Sequence, residues 1–193
     1  MIVIGVPVPK DYQIDVRTAA YCSTESASVG GKWGYVASRD AGVGRSTFAY
    51  LALKDPEVTH LYFMDYDVVP LLGTLRKLLD YNTPIAAGIY PMDIDGGVWS
   101  FKVGWDWWPK VKPIPDELID ASIVGGSTLL VKREVFEKLE DPYFKITYRA
   151  IDDKGKCFEE GEDEYFSRTA REAGFKLIVD PSIVCEHYNY RRL

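Results

Sequence analysis

The sequence contains no uninterrupted apolar run of the ~18 residues that a helix needs to cross a bilayer. Only three cysteines occur among the 193 residues, without any Cys-x-x-Cys spacing, which argues against a disulfide scaffold and a zinc knuckle. The apolar opening segment has no basic leader and no small-residue cleavage site, so we expect it to form a first core strand. These features predict one domain spanning residues 1–193 of a cytoplasmic protein with no transmembrane segment.

Basic clusters are also missing, because no block of Lys and Arg precedes Arg191–Arg192. Lys and Arg total 23 against 29 Asp and Glu, which gives a net charge of −6 at pH 7. A nucleic-acid-binding surface is normally basic, so we expect no nucleic-acid partner. An acidic chain can still bind a phosphorylated ligand, since a bound metal ion supplies local positive charge. The apolar fraction of 47% and the aromatic fraction of 13% predict a folded chain.

Apolar, β-branched runs alternate with helical patterns along the first part of the chain. The predicted strands cover residues 1–8, 33–37, 60–64 and 84–90, and the predicted helices cover residues 14–21, 41–53 and 72–81. This alternation predicts an α/β fold with a mostly parallel central sheet flanked by helices on both faces. Ligands of such sheets bind at the carboxyl ends of the strands, so site residues are expected directly after strands.

The alternation is interrupted in the second half of the chain. Residues 92–115 are rich in Gly, Pro and Trp without a steady period, which predicts a long loop or hairpin. Beyond this segment, strands are predicted over residues 123–131, 175–179 and 183–185, and helices over residues 133–139 and 162–173. Gly174 stands where the C-cap of the last helix is expected.

Asp65-x-Asp67 directly follows the apolar residues 61–64. Side chains two residues apart on an extended chain point the same way, so both carboxylates can face one ion. Carboxylate oxygens suit Mg²⁺ or Mn²⁺ bridging a diphosphate. The alternative is that two acidic residues merely begin a turn before Pro70. Two like charges at the end of a buried strand favour the cation, because the carboxylates otherwise repel each other.

Two further features carry candidate chemistry. Glu162 and Asp163 begin a predicted helix, where acidic residues either stabilise the helix dipole or place a general base in a cleft. His187 follows the last predicted strand, and imidazole suits Mn²⁺ beside carboxylates. A lone histidine is more often a structural hydrogen-bonding residue, and we expect this role for His60.

The order and spacing of these motifs resemble the GT-A fold glycosyltransferases, most closely the family 2-like enzymes that use nucleotide-sugars. The motifs are Asp65-x-Asp67, the run VGGSTLLVKREVF over residues 124–136, Gly161-Glu162-Asp163 and His187. The resemblance spans nearly the whole chain. It implies a nucleotide-binding part over about residues 1–90 and an acceptor-binding and catalytic part over about residues 91–193.

The resemblance also implies an activity and its residues. It implies a hexosyltransferase-type enzyme of carbohydrate biosynthesis, which moves a sugar from a UDP- or GDP-sugar to a hydroxyl acceptor with Mn²⁺ or Mg²⁺. The implied metal ligands are Asp65, Asp67 and His187; the implied catalytic base of an inverting transfer is Asp163, with Glu162 as its substitute. The implied donor-binding residues are Pro7, Asp40, Arg45, Asp65, Tyr66, Asp67, Gly125 and Gly126. The first loop lacks the Asn that often follows the strand-one proline in this family.

Four of the five tryptophans lie within residues 99–108. Flat apolar rings pack against the C–H faces of sugars, so Trp105, Trp107 and Trp108 are the predicted acceptor-binding residues. A loop plug or a protein interface explains the same cluster equally well, because exposed aromatic residues also mark interfaces.

Two other functions fit parts of the sequence. A nucleotidyltransferase would carry a Gly-rich, basic phosphate loop after strand one, whereas residues 6–11 contain prolines there. A carbohydrate-binding protein that kept the fold without turnover fits the tryptophan cluster. The presence of Asp65, Asp67, Asp163 and His187 favours an enzyme.

Overall fold

The computed structural model describes residues 1–92, 98–104, 117–149 and 158–188. The helices are α1 (Val16–Ser28), α2 (Ala41–Lys54), α3 (Thr74–Asp80), α4 (Arg133–Lys138) and α5 (Glu162–Glu172). The strands are β1 (Ile2–Pro9), β2 (Lys32–Ser38), β3 (His60–Phe63), β4 (Val68–Val69), β5 (Ile85–Ile89), β6 (Phe101–Lys102), β7 (Ile119–Ala121), β8 (Ile123–Val124), β9 (Leu129–Lys132), β10 (Thr147–Arg149), β11 (Phe158–Glu160), β12 (Leu177–Val184) and β13 (Glu186–His187).

Seven of these strands form the central sheet, in the order β2-β1-β3-β9-β5-β12-β7. Strand β1 is parallel to β2 and β3, and β5 is parallel to β12. Strand β9 runs antiparallel between β3 and β5, and β7 runs antiparallel at the edge beside β12. The α/β fold with a central sheet flanked by helices is therefore confirmed. The sheet is mixed, because β2, β1, β3, β5 and β12 run in one direction and β9 and β7 run in the opposite direction.

Both faces of the sheet are buried under helices, as the alternation of strands and helices predicted. Leu61 and Phe63 of β3 pack on the side of α2, α4 and α5, while Tyr62 packs on the side of α1 and α3. This two-sided burial explains why the central strands are continuous apolar runs without polar alternation. None of the helices in the described ranges is long and apolar enough to cross a membrane.

The predicted elements differ from the structure at three places in the chain. The single strand predicted over residues 123–131 is two strands in different sheets, because the chain leaves β8 through Gly125–Gly126 and enters β9 after Thr128, which has a φ of 54°. The two strands predicted over residues 175–185 are one strand, β12, which continues through Pro181 with an irregular register. Helix α1 extends to Ser28, well beyond the predicted end at Tyr21.

The extension of α1 brings Glu25 to the start of α3. Glu25 is buried, and its carboxylate accepts hydrogen bonds from Gly73 N (2.7 Å) and Leu75 N (3.1 Å). It therefore caps a seven-residue helix whose N-cap residue, Gly73, has no side chain to do so. Sequence patterning missed this contact because capping residues are sought next to the helix in the chain.

Glu25→Ala is expected to lower the free energy of unfolding by about 2 kcal/mol, because two backbone donors, Gly73 N and the buried Leu75 N, lose their acceptor. Urea denaturation followed by circular dichroism measures the change. Glu57→Ala, at an exposed acidic residue, serves as the control and should change stability by less than about 0.5 kcal/mol. Equal stabilities of the two variants would contradict the capping role.

The two described cysteines are structural. Cys22 and Cys185 are free and buried, and burial raises the pKa of each thiol to about 12. Thiols with such a high pKa stay protonated and unreactive at neutral pH. The third cysteine, Cys157, lies outside the described residues.

Candidate functional site

A two-stranded sheet brings His187 to Asp67 from a distant part of the chain. Strand β13 pairs antiparallel with β4, so that His187 lies opposite Val68. Tyr188 N also donates a hydrogen bond of 2.9 Å to Asp67 O. As a result, His187 Nε2 lies 3.7 Å from Asp67 Oδ1, and both side chains are largely buried. The predicted approach of His187 to the acidic motif is thus present in the structure.

The hydrogen bonding of the His187 ring defines what faces Asp67. His187 Nδ1 donates to Pro91 O at 2.8 Å, since a carbonyl oxygen can only accept. In the neutral ring, Nε2 therefore presents a lone pair toward the Asp67 carboxylate. This donor set, one imidazole nitrogen and one carboxylate, fits a divalent cation such as Mn²⁺.

The environment of Asp67 disfavours an isolated negative charge. Burial raises the pKa of Asp67 to about 6, nearby His187 opposes the rise, and the Asp65 carboxylate adds to it. The Tyr66 hydroxyl forms a hydrogen bond with Asp67, and the Tyr66 ring packs against Tyr12 with 5.2 Å between ring centroids. A buried carboxylate with a raised pKa beside an imidazole lone pair is the electrostatic environment that a bound cation stabilises.

Asp65 points to a different partner. The chain is not extended through Asp65 and Asp67 as expected, because it turns at residues 66–67. Asp65 Oδ1 instead forms an ion pair with Arg45 Nη2, and Asp65 N donates to Ser127 Oγ at 2.9 Å. Within the described ranges, no three His, Cys, Asp or Glu side chains converge in a way that could hold a metal ion. The candidate ligands that the structure brings together are Asp67 and His187.

Arg45 is the buried cation at the centre of the site. Its side chain is 2% exposed and bridges Asp65 and Glu162, with Nη1 2.8 Å from Glu162 Oε1. Gly126 makes room for the guanidinium, since a Cβ at this position would lie 2.3 Å from Arg45 Cζ. Arg45 therefore links Asp65, which follows β3, to Glu162 in the first turn of α5 through two ion pairs.

The first turn of α5 presents Asp163 beside Glu162. Burial and the Glu162 charge raise the pKa of Asp163 to about 7, while Arg45 acts in the opposite direction. The carboxylate accepts one hydrogen bond of 2.8 Å from Glu164 N, and Glu164 itself pairs with Lys102 of β6 at 2.5 Å. Asp163 is thus a carboxyl group that changes protonation near neutral pH, as a general base requires.

Tyr90 contacts His187 and lies near the carboxylates of Asp65 and Asp163. Its ring packs edge-on against His187 with 5.4 Å between centroids. Burial raises the pKa of its hydroxyl well above the usual value, and the charges of Asp65 and Asp163 raise it further. A Cβ at Gly125 would lie 2.4 Å from the Tyr90 hydroxyl, so this glycine is needed for the packing. The sequence offered one signal for Tyr90, its position directly after β5.

Solved structures with similar folds were found at low sequence identity. The crystal structure of A197 from STIV matches this chain with a TM-score of 0.67 and 20% identity. The match covers 100% of this chain and 87% of the A197 chain. GalNAc-T7, crystallised with UDP, GalNAc and Mn²⁺, has a TM-score of 0.56 and 15% identity over 98% of this chain. S. aureus TarS 1–349 in complex with UDP-GlcNAc has a TM-score of 0.53 and 12% identity over 100% of this chain.

GalNAc-T7 and TarS are GT-A glycosyltransferases. This chain has the GT-A fold. It covers 44% of the GalNAc-T7 chain and 59% of the TarS chain, so it corresponds to about half of each. No protein-family model matches the sequence, and no curated protein sequence matches it.

The other predicted residues occupy defined places in this GT-A fold. Pro7 is buried on β1 against α2, where a Cβ at Gly44 would lie 2.6 Å from Pro7 Cβ. Asp40 is the N-cap of α2 and accepts from Val43 N at 2.9 Å. The predicted acceptor-binding residues Trp105, Trp107 and Trp108 lie outside the described residues.

Proposed function

We propose that the protein is a metal-dependent, family 2-like glycosyltransferase that moves a sugar from a UDP- or GDP-sugar to a hydroxyl acceptor. The observation that carries this proposal is the Asp67–His187 pair beside Asp65, Arg45 and Asp163 at the carboxyl ends of the central strands. The fold supports it, because two similar structures contain UDP or UDP-GlcNAc and one also contains Mn²⁺.

Asp67 and His187 would hold the divalent ion, with Asp67 as the direct carboxylate ligand. When bound, the ion supplies Lewis-acid stabilisation for the diphosphate leaving group. The hydrogen bond from His187 Nδ1 to Pro91 O keeps the ring oriented, which is the usual support for a metal-binding histidine. Asp65, held by Arg45, is available to contact the donor beside the ion.

Asp163 would act as the general base of an inverting transfer. In this step, the acceptor oxygen forms a bond to the anomeric carbon while the bond from that carbon to the phosphate oxygen breaks. The acceptor proton passes to Asp163, and the bonding electrons leave with the diphosphate. Glu162, predicted as a substitute base, is engaged with Arg45 and would orient the helix start instead.

Asp67→Ala is expected to abolish metal-dependent nucleotide binding, because the carboxylate ligand is removed. In a thermal-denaturation assay, UDP or GDP with Mn²⁺ should raise the melting temperature of the wild type, and the nucleotide with EDTA should not. At 100-fold saturation the stabilisation is about 2.7 kcal/mol. Asp67→Ala should show no such rise.

Asp80→Asn, at an exposed acidic residue at the end of α3, is the matched control and should respond as the wild type does. Equal nucleotide-induced shifts with Mn²⁺ and with EDTA would rule out a metal-bridged donor site. A full Mn²⁺-dependent shift in Asp67→Ala would rule out Asp67 as its ligand.

A further inference from the structure

A groove of about 780 Å³ lies between the outer side of α2 and residues 141–148. Its volume falls in the range of about 300–1,000 Å³ that is typical of small-ligand sites. Four large apolar or aromatic side chains line it and are 47% or more exposed: Val43 (50%), Tyr50 (51%), Ile146 (47%) and Tyr148 (72%). Apolar surface gathered in a groove of this size marks a binding site more often than scattered exposure does.

The two walls of the groove are fixed to each other. Ser46 Oγ accepts a hydrogen bond from Phe144 N (3.0 Å) and donates one to Phe144 O (3.1 Å). Farther along, Thr147 Oγ1 donates to Glu160 Oε2 at 2.7 Å, and Lys145 Nζ lies over the Tyr165 ring of α5. These contacts make the groove a preformed feature, which lowers the entropy lost when a ligand binds.

The charges around the groove are balanced. Arg39 and Lys145 line it together with Asp40 and Asp141, and the Asp40 carboxylate is engaged in capping α2. A phosphate-rich or polyanionic ligand would need a net positive lining, which these residues do not provide. Tyrosine rings with hydroxyl groups, set among polar side chains of both signs, suit a neutral ligand that alternates apolar C–H faces with hydroxyl groups.

The groove lies beside the start of α5, which carries the candidate base. At Gly42 a Cβ would lie 3.0 Å from Glu162 Cβ and 3.2 Å from Phe144 O. The backbone of α2 therefore touches the first turn of α5 on one side and the wall of the groove on the other. Val43, the next residue, points into the groove. A chain-like ligand lying in the groove would have its end near the start of α5.

We propose that this groove binds the saccharide chain of the acceptor, with Tyr50 and Tyr148 packing against its sugar rings. The inference rests on the proposed glycosyltransferase function and specifies its acceptor as an oligosaccharide. The saccharide chain would lie along α2, with one end beside the first turn of α5.

The test uses the full-length protein labelled for NMR and three probes, cellopentaose, maltopentaose and chitopentaose, at millimolar concentration. At least one pentasaccharide should shift amide resonances within residues 39–50 and 141–148. Tyr50→Ala and Tyr148→Ala should each weaken that binding by about tenfold, because each removes one sugar-packing face. Both rings are exposed, so neither substitution is expected to unfold the protein.

Tyr35→Ala is the matched control, since Tyr35 is 63% exposed on β2 and does not line the groove. It should leave pentasaccharide binding unchanged. The proposal is overturned if no probe shifts groove amides, or if binding survives in the Tyr50→Ala, Tyr148→Ala double variant. A third outcome is that the protein binds a pentasaccharide in the groove and fails to bind UDP or GDP with Mn²⁺. That result would contradict the proposed donor site, but the groove would still be a saccharide site.

Discussion

Asp163→Asn is expected to reduce kcat for sugar transfer by about 10²–10⁴-fold, the usual contribution of a general base. Asparagine has nearly the same shape but cannot accept the acceptor proton. The Asp67–His187 pair lies on other elements and is untouched, so Mn²⁺-dependent nucleotide binding should remain. Steady-state kinetics with a nucleotide-sugar and acceptor, together with the thermal-denaturation assay, separate the two effects. Full turnover by this variant would mean that another group is the base or that configuration is retained.

The pH dependence follows from the raised pKa of Asp163, about 7. A base must be deprotonated, so wild-type kcat/KM should rise through pH ~7, and Asp163→Asn should lack that limb. The charges facing Asp163 are Glu162 and Glu164 on its own helix and Arg45 from α2.

The effect of Asp163 on stability has the opposite sign. The folded state binds the Asp163 proton more tightly than the unfolded state, in which the pKa of this carboxyl group is near 3.8. The stabilising contribution of Asp163 is therefore lost as pH rises from about 4 to about 7. Above pH 7, Asp163→Asn should be at least as stable as the wild type. This outcome would show that the Asp163→Asn variant does not lose activity through unfolding.

Arg45→Met is expected to lower the free energy of unfolding by about 3–5 kcal/mol, because it leaves Asp65 and Glu162 near each other without their buried cation. Urea denaturation measures the loss. Arg45→Lys keeps the charge but lacks the forked guanidinium that bridges both carboxylates, so it should be intermediate.

Combining Arg45→Met with Glu162→Gln provides the control for this interaction. Removing one of the two uncompensated carboxylates should restore part of the lost stability, so the two changes should not be additive. Additive losses, or a loss below about 1 kcal/mol for Arg45→Met, would show that the guanidinium does not hold these two carboxylates together.

The fold was largely predictable because its information is local. The apolar runs of β1, β3 and β5 are long enough to show their burial, and the helical pattern of α2 separates them. The position of β9 was not predictable, since an antiparallel strand inserted between β3 and β5 has the same apolar character as a parallel one. Sequence periodicity does not encode which neighbour a buried strand pairs with.

Which candidate residues lie near one another was more predictable than the contacts they make. Asp67 and His187 were expected to meet, but the two-residue strands β4 and β13 that join them are too short to show any period. The divergence of Asp65 from Asp67 depends on a turn and on the buried Arg45. Arg45, expected to contact the donor, was not recognisable as an internal bridge, because its partners Asp65 and Glu162 lie on other elements.

The most direct test of a metal-dependent transferase is donor turnover. UDP- and GDP-sugars are incubated with the full-length protein and Mn²⁺, and release of the nucleoside diphosphate is measured with and without the pentasaccharides. Release from at least one donor is expected, with dependence on Mn²⁺ and with loss in Asp67→Ala. Absence of release from every donor, or release that is equal in EDTA, would contradict a catalytic ion bound by Asp67 and His187.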